Sequence, residues 1–367
     1  MINKLMTIYA EMVDGAALAQ FNSAMAQDFA IKGALMPDTH KGYSLPIGSV
    51  VAVEGNILPS WVGYDIGCGM CALPTSFSKD VVESKAETIF QDIYQNIPVG
   101  NKMNNRPTEV DIKGELTADA KKIFNARGGY AAAGSLGSGN HFLEIGVDED
   151  EQVWIIIHSG SRGIGHGIAG HYMAVASGTT KAKEGHFALA TDSDAGQAYI
   201  NDMNWCLQFA LENRLEMMRR AVKILEANCG EGEADWPALI NRNHNHADFS
   251  HGYWIHRKGA THAEEGMDGV IPGNMRDGSF IVRGKGNPDS LWSSSHGAGR
   301  VLGRMKAKKS LSMEEFRREM EGVTAKVSEH TLDEAPMAYK DIFEVMKMQE
   351  ELVEVRHHVR PLINIKA

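Results

Sequence analysis

Cysteine is scarce in this chain: 367 residues hold four, Cys68, Cys71, Cys206 and Cys229. So few exclude a disulfide scaffold. Basic charge is also in deficit. Lys and Arg number 37 against 47 Asp and Glu, a net charge of -10, which excludes histone-like or tail-driven binding to nucleic acid. An RNA or DNA substrate would need a local basic groove on an acidic body. No apolar run reaches the roughly 18 residues of a membrane span, so no membrane partner is expected. The opening "MINKLMTIYAEMVDG" places acids where a signal peptide needs unbroken apolar residues, and a reducing, cytoplasmic location is the expectation. Repeats of fixed period, low-complexity tracts and obvious linkers are missing too. With 43% apolar and 23% charged residues and a mean hydropathy of -0.27, the composition is that of a folded globular protein. One domain over residues 1–367 is the preferred organisation.

What is present is a mixture of periods. Helical spacing runs through "GAALAQFNSAMAQDFA", "KDVVESKAETIFQDIYQNI" and the long "AYINDMNWCLQFALENRLEMMRRAVKILEAN". It returns in "SMEEFRREMEG", with Ser312 as cap and Glu315 completing the box, and in "YKDIFEVMKMQEEL". Strand-like runs are "SVVAV", "VWIII", "YWIH", "SFIVR", "LVEVRHHV" and "LINIK". No strict βαβ alternation appears, so the fold class is α+β. The polar stretch 103–114 reads as a loop. Many of the 38 glycines cluster beside histidines, in "GSLGSGNHFLE", "IIIHSGSRGIGHGIAG", "HRKGAT", "PGNMRDGS" and "SHGAGR". Glycine admits close approach of backbone to ligand, so these five segments suggest a cleft assembled from loops.

Two familiar phosphate-binding patterns fail. "GHGIAG" matches G-x-G-x-x-G literally, but polar "HSGSR" stands where the preceding strand should be, and the match reads as part of a glycine-rich loop. No G-x-x-x-x-G-K-[ST] occurs. Other groups carry chemistry. In "VGYDIGCGMCAL" a carboxylate and a thiol, Asp65 and Cys68, stand three residues apart, with Gly67 and Gly69 permitting a tight turn. They can reach one metal or bridge two; a buried structural cysteine is the plainer alternative. Cys68 and Cys71 also spell C-x-x-C, but no second pair exists for a zinc ribbon, and the strand-to-helix setting of a redox motif is missing. His141 follows "GSGN", His158 ends "VWIII", and His244 lies in "NRNHNHAD". Together with Asp65 and Cys68 they form a mixed N/O/S set that zinc, iron or manganese would suit. His296, in "SSSHGAGR", has small neighbours and Arg300 four residues on. It reads as a ligand, or as a nucleophile that attacks phosphorus and carries the group as a phosphoramidate.

The motifs "MPDTHKGYSLPIGSV", "VGYDIGCGM", "GSLGSGNHFLEI", "HSGSRGIG", "RKGA", "PGNM", "SHGAGRVLGR", "MAYKDI" and "INIK" follow one another along nearly the whole chain. In that combination the sequence closely resembles the RtcB family of GTP-dependent RNA ligases. The resemblance implies a single α+β domain with a deep central cleft holding two Mn²⁺. Cys68 would bridge them, with His158 and His244 completing one site and Asp65 and His141 the other. His296 would be the residue guanylylated by GTP. Nucleotide contacts would come from Asn140, Glu144, Asn245, the loop Pro272, Gly273, Asn274 and Met275, then Ser279, the backbone of Gly297, Ala298 and Gly299, and finally Tyr339 and Lys366. The implied partners are GTP and RNA ends, a 2′,3′-cyclic phosphate or 3′-phosphate on one side and a 5′-hydroxyl on the other. The process would be RNA repair or tRNA splicing, with room for an archease-type activator. Two readings without ligation stay open: a dinuclear cyclic phosphodiesterase, and an RNA-end-binding protein. The chain departs from the family at Asn274 and Arg276, where serine and glycine are expected; Arg276 would add bulk and charge beside the nucleotide. The stretch before His141 is short for the family, and Cys71 reads as packing.

Overall fold

In "VWIIIHS" no polar side chain appears before the histidine, and a run apolar on both faces belongs in the middle of a sheet. The computed structural model, which describes residues 4–367, places Val153–Ser159 between Phe142–Val147 and Gly69–Thr75, antiparallel to both. These strands belong to an eight-stranded sheet. Its main path runs Asp268–Pro272, Ser279–Gly284, Val353–Ile365, Phe142–Val147, Val153–Ser159, Gly69–Thr75, Ile240–Asn243, and Thr324–Ala325 pairs with Val353–Ile365 off that path. The sheet curls until Asp268–Pro272, at one edge, packs against Gly69–Thr75 and Ile240–Asn243 near the other.

Alternation along the strands sorts the side chains. Ile155 and Ile157 join Cys71, Leu73, Leu143 and Ile145 on the outer face, against the helices Ala86–Asn96 and Asp194–Cys229. Each such Ile or Leu contributes about 1.5–3 kcal/mol by leaving water. Trp154 and Ile156 point inward with Met70, Ala72, Phe142, Val270 and Ile281. With a period of two, His158 and Cys68 continue the inward rows. Asp194–Cys229 has 36 residues and so extends about 54 Å. Its second half covers this sheet, while Tyr199, Met203, Cys206 and Phe209 in its first half pack near Ile164, Ile168 and Tyr172 of a second helix, Arg162–Ser177.

A five-stranded sheet completes the α+β architecture, in the order Leu5–Ile8, Ala30–His40, Ile47–Val53, Tyr253–Lys258, Asn245–Ser250. A single residue, His244, separates Ile240–Asn243 of one sheet from Asn245–Ser250 of the other. Among the described residues no helix is long and apolar enough to cross a membrane.

Several sequence expectations need correction. The first helix ends at Met25, and Ala30 already begins the strand Ala30–His40, whose Gly, Pro and Asp conceal any strand pattern. The helical stretch 79–97 breaks at Lys85 into Lys79–Ser84 and Ala86–Asn96. "GHGIAG" is no loop: it lies within the helix Arg162–Ser177. Small residues serve packing there, since a Cβ on Gly165 would stand 1.9 Å from Ser161 Oγ. "LVEVRHHV" and "LINIK" fuse into the strand Val353–Ile365, which tolerates Pro361 because its register shifts between Pro361 and Ile363. Ser312 caps Met313–Glu319 as expected, accepting from the amides of Glu314 and Glu315. Residues 103–114 form no helix or strand.

Candidate active site

Between the helix Pro59–Val62 and the strand Gly69–Thr75 the chain turns tightly, with Cys68 N–H donating to Asp65 O at 3.1 Å and Gly67 at φ +75°. The turn delivers the Cys68 thiol inward. Its Sγ lies 3.3 Å from His141 Nε2 and 3.2 Å from His158 Nε2. His244 Nε2 is 3.2 Å from His158 Nε2, and Asp65 Oδ2 is 3.0 Å from His141 Nε2. Five expected ligands therefore converge, with His158 and His244 on one flank of the sulfur and His141 and Asp65 on the other.

Hydrogen bonds behind the rings fix which nitrogen faces the cluster. His158 Nδ1 is 3.1 Å from Asn140 O, and His141 Nδ1 is 3.0 Å from Leu136 O. In the His158 ring a carbonyl accepts the Nδ1 proton, so Nε2 presents its lone pair, the arrangement metal-binding histidines use, while His141 Nε2 also faces the Asp65 carboxylate. Burial, and then neighbouring imidazoles, pushes His158 and His244 well below the usual histidine range, so both rings are neutral. Burial and the Asp65 charge push the Cys68 thiol well above its usual range. A thiolate here needs a cation beside it. Desolvation opposes the charge of Asp65, but the His141 hydrogen bond and the charges of His141 and Arg162 outweigh it and hold that carboxyl low. Neutral imidazoles, a carboxylate and a thiol that only a cation would ionise form a set suited to divalent transition metals.

The long helix supports the cluster from behind through a residue the sequence reading missed. Arg214 is fully buried and donates to Gly67 O (2.9 Å), Ser159 O (2.8 Å), Asn241 Oδ1 (2.7 Å) and Asn243 Oδ1 (2.7 Å). One guanidinium thus ties together the segments bearing Cys68, His158 and His244. Burial lowers its pKa to about 10. Cys71, facing the opposite side of its strand, lies in the apolar core, and burial raises its thiol to about 12.

His296 follows the strand Ser293–Ser295 and stands beside the cluster, its ring centroid 4.8 Å from that of His244. Its Nδ1 is 2.6 Å from Asp38 Oδ2, which also accepts from the His296 amide at 3.2 Å. Asp38 is completely buried. With Nδ1 occupied, Nε2 is the ring's free nitrogen. Nothing in the local sequence "MPDTHKG" marks Asp38 for this contact.

A cleft of about 410 Å³ opens over these groups. Its wall includes Asp65, Cys68, His158, His244 and His296, and most of the residues expected at the nucleotide: Asn140, Glu144, Asn245, the loop Pro272, Gly273, Asn274 and Met275, then Gly297, Ala298, Gly299, Tyr339 and Lys366. His141 and Ser279 lie behind that wall. Ser279 donates to Glu144 Oε1 at 3.3 Å, and Asn364 Nδ2 donates to Oε2 at 3.1 Å. Burial raises the Glu144 carboxyl to about 8, against the pull of Asn364, Ser279 and Lys366. Asn245 braces the turn that carries Asp65 and Cys68, donating to Asp65 O at 3.3 Å and accepting from Gly259 N–H at 2.8 Å.

Three cations on the cleft wall, Lys366, Arg300 and Arg304, share another overlooked group, Glu334. Lys366 Nζ is 3.0 Å from it, Arg300 Nη1 3.0 Å and Arg304 Nη1 3.6 Å, and the Tyr339 hydroxyl donates to it as well. Burial alone would raise the Glu334 carboxyl, but the charges of Lys366, Arg304 and Arg300 hold it at about 2. Arg276, expected to add bulk and charge beside the nucleotide, does not line the cleft. Its side chain pairs with Asp277 (2.7 Å) and Glu319 instead, while its backbone N–H donates to Asn274 Oδ1 at 3.0 Å.

Comparison with known proteins adds a last observation. The family model described as tRNA-splicing ligase RtcB matches residues 20–127 and 113–367. The RNA-splicing ligase RtcB of Escherichia coli strain K12 is 39% identical over 370 residues, covering 91% of this chain and 89% of that protein. The tRNA-splicing ligase RtcB of Nanoarchaeum equitans is 30% identical over 419 residues, covering 90% and 87%.

Proposed function

Because the chain belongs to the RtcB family, we propose that it is, as one domain over residues 1–367, a GTP- and Mn²⁺-dependent RNA ligase of the cytoplasm. It would join a 2′,3′-cyclic phosphate or 3′-phosphate end to a 5′-hydroxyl end, in RNA repair or tRNA splicing. The observation that carries this reading is the pairing of His296 with Asp38. The buried carboxylate holds the Nδ1 side of the ring and leaves Nε2 facing the cleft, a backing that metal-binding histidines share. In a nucleophile it has a further use, because the ring becomes positive when Nε2 attacks phosphorus and Asp38 balances that charge.

In the proposed sequence His296 Nε2 attacks the α-phosphorus of GTP; the P–N bond forms as pyrophosphate leaves, and Asp38 balances the charge on the ring. A cyclic phosphate end is first opened by water, which breaks the bond from phosphorus to O2′ and leaves a 3′-phosphate. An oxygen of that 3′-phosphate then attacks the phosphorus held on His296, the P–N bond breaks, and His296 is restored. The 5′-hydroxyl displaces GMP from the activated end, giving the phosphodiester. Cys68 with His158 and His244 would hold one Mn²⁺, and Cys68 with His141 and Asp65 the other. Bound metal supplies neutralisation of phosphate charge. Lys366, Arg300 and Arg304 add positive charge along the wall, and Glu144 offers a carboxyl to the N–H edge of guanine.

Incubation with α-labelled GTP and Mn²⁺ tests the reading. Acid-labile label should attach to the wild type, vanish in His296→Ala and Cys68→Ala, fall at least about tenfold in Asp38→Asn, and persist in Cys71→Ala. A wild type that takes no label under varied metals would overturn the ligase. Opening of a cyclic phosphate without GTP would then identify a phosphodiesterase.

A further inference from the structure

Away from the Cys68 cluster, three more side chains aim ligand atoms at one point. His246 and Asp248 fall on one face of the strand Asn245–Ser250, two residues apart, and His262 ends the short strand Ala260–His262. The Nε2 atoms of His246 and His262 are 2.8 Å apart, and Asp248 Oδ1 is 3.4 Å from His246 Nε2. All three ligand atoms lie within 4.8 Å of one another. Donors about 2.1 Å from a tetrahedral ion stand roughly 3.4 Å from each other, so little movement is needed to close the set around an ion.

The surroundings have the character of a metal site. Glu264 faces the far side of the His262 ring, with Oε1 2.9 Å and Oε2 3.1 Å from Nδ1. That carboxylate takes the Nδ1 proton's hydrogen bond and leaves Nε2 as a bare lone pair pointed at His246, the carboxylate–histidine relay found behind metal ligands. Arg257, fully buried, donates to Asp248 and lies 3.7 Å from Glu264 Oε1. Apart from the imidazoles, two carboxylates, Asp248 and Glu264, against one guanidinium leave a single negative charge at this point. A divalent cation compensates it. The side chains of His262 and Asp248 retain 22% and 31% exposure, enough for an ion to enter and keep a water ligand.

The geometry points to a further, mononuclear site for a zinc-class divalent ion, held by His246, Asp248 and His262 and separate from the Cys68 cluster. Its consequence is positional. Ala260–His262 pairs with Ser293–Ser295, His262 opposite Ser293 and Ala260 opposite Ser295, immediately before His296. An ion there clips the strand that follows His244 to the ribbon that leads into the His296 loop. The same atoms without an ion would share a proton between two imidazoles, and experiment separates the two states.

The full-length chain is stripped of metal, equilibrated with buffered Zn²⁺, gel-filtered and analysed for metal content, alongside His262→Ala and Asp248→Asn. The wild type should retain one equivalent more than His262→Ala, whatever the Cys68 cluster holds. Asp248→Asn, which keeps the shape and an acceptor for Arg257, should bind that extra equivalent at least about tenfold more weakly by calorimetry while circular dichroism shows the metal-free variant folded at the assay temperature. Equal metal content in wild type and His262→Ala, or unchanged affinity in Asp248→Asn, would overturn the site and leave a proton-sharing histidine pair.

Discussion

At the scale of single residues, Glu144 makes the sharpest demand on solution conditions. Its carboxyl, raised to about 8, is neutral at pH 7, whereas two N–H donors from a guanine edge, its proposed partner, would favour the ionised form. Under that proposal, binding below about pH 8 would release a proton. GTP affinity should climb with pH, by at most about tenfold per unit, and level off above about 8. Glu144→Gln should flatten the profile. Calorimetry in buffers of different ionisation enthalpy reads the proton directly, and a wild-type affinity constant between about pH 6 and 8 would refute the link. What the sequence revealed at this scale was uneven. Spacing suggested a mixed donor set, and only the family resemblance gave each ligand a place. Asp38 escaped notice because its partner His296 is 258 positions away, and nothing local marks a carboxylate that will meet a ring so distant.

Among elements, the helix Asp194–Cys229 has two tasks, covering the sheet and, through Arg214, holding the segments that carry Cys68, His158 and His244 in register. Arg214→Met should leave two backbone carbonyls and two asparagine side chains without a donor. We expect a loss of about 3–5 kcal/mol in unfolding free energy and a fall of roughly 10- to 100-fold in Mn²⁺ affinity. Denaturant melts and metal titration measure the two separately; a destabilised variant with undiminished metal affinity would show that Arg214 serves the fold alone. This helix was plain from its period. The helix Arg162–Ser177 was not, because glycines chosen for close packing at Gly165 and its neighbours imitate a loop in the sequence. Composition recorded their small size and could not record what pressed against them.

For the molecule as a whole, the charge of -10 and the cations of the cleft act over different distances. The Debye length is about 30 Å at 0.01 M salt and about 8 Å at 0.15 M. At the lower salt an RNA end meets the repulsion of the entire acidic body before it meets Lys366, Arg300 and Arg304. Its association rate, followed by stopped-flow fluorescence, should rise as salt increases between these values and fall only beyond them. A rate that declines from the lowest salt onward would mean that the cleft's field dominates at long range. The α+β class was legible at this scale; the two-sheet arrangement was not, since the strands pair across most of the chain. That arrangement also bears on synthesis. Val353–Ile365, last in chain order of the strands in the eight-stranded sheet, inserts between Ser279–Gly284 and Phe142–Val147, antiparallel to both. A nascent chain on the ribosome therefore carries two unzipped sheet edges until this segment emerges. During that interval it is most in need of a chaperone and most open to pairing with a neighbouring copy.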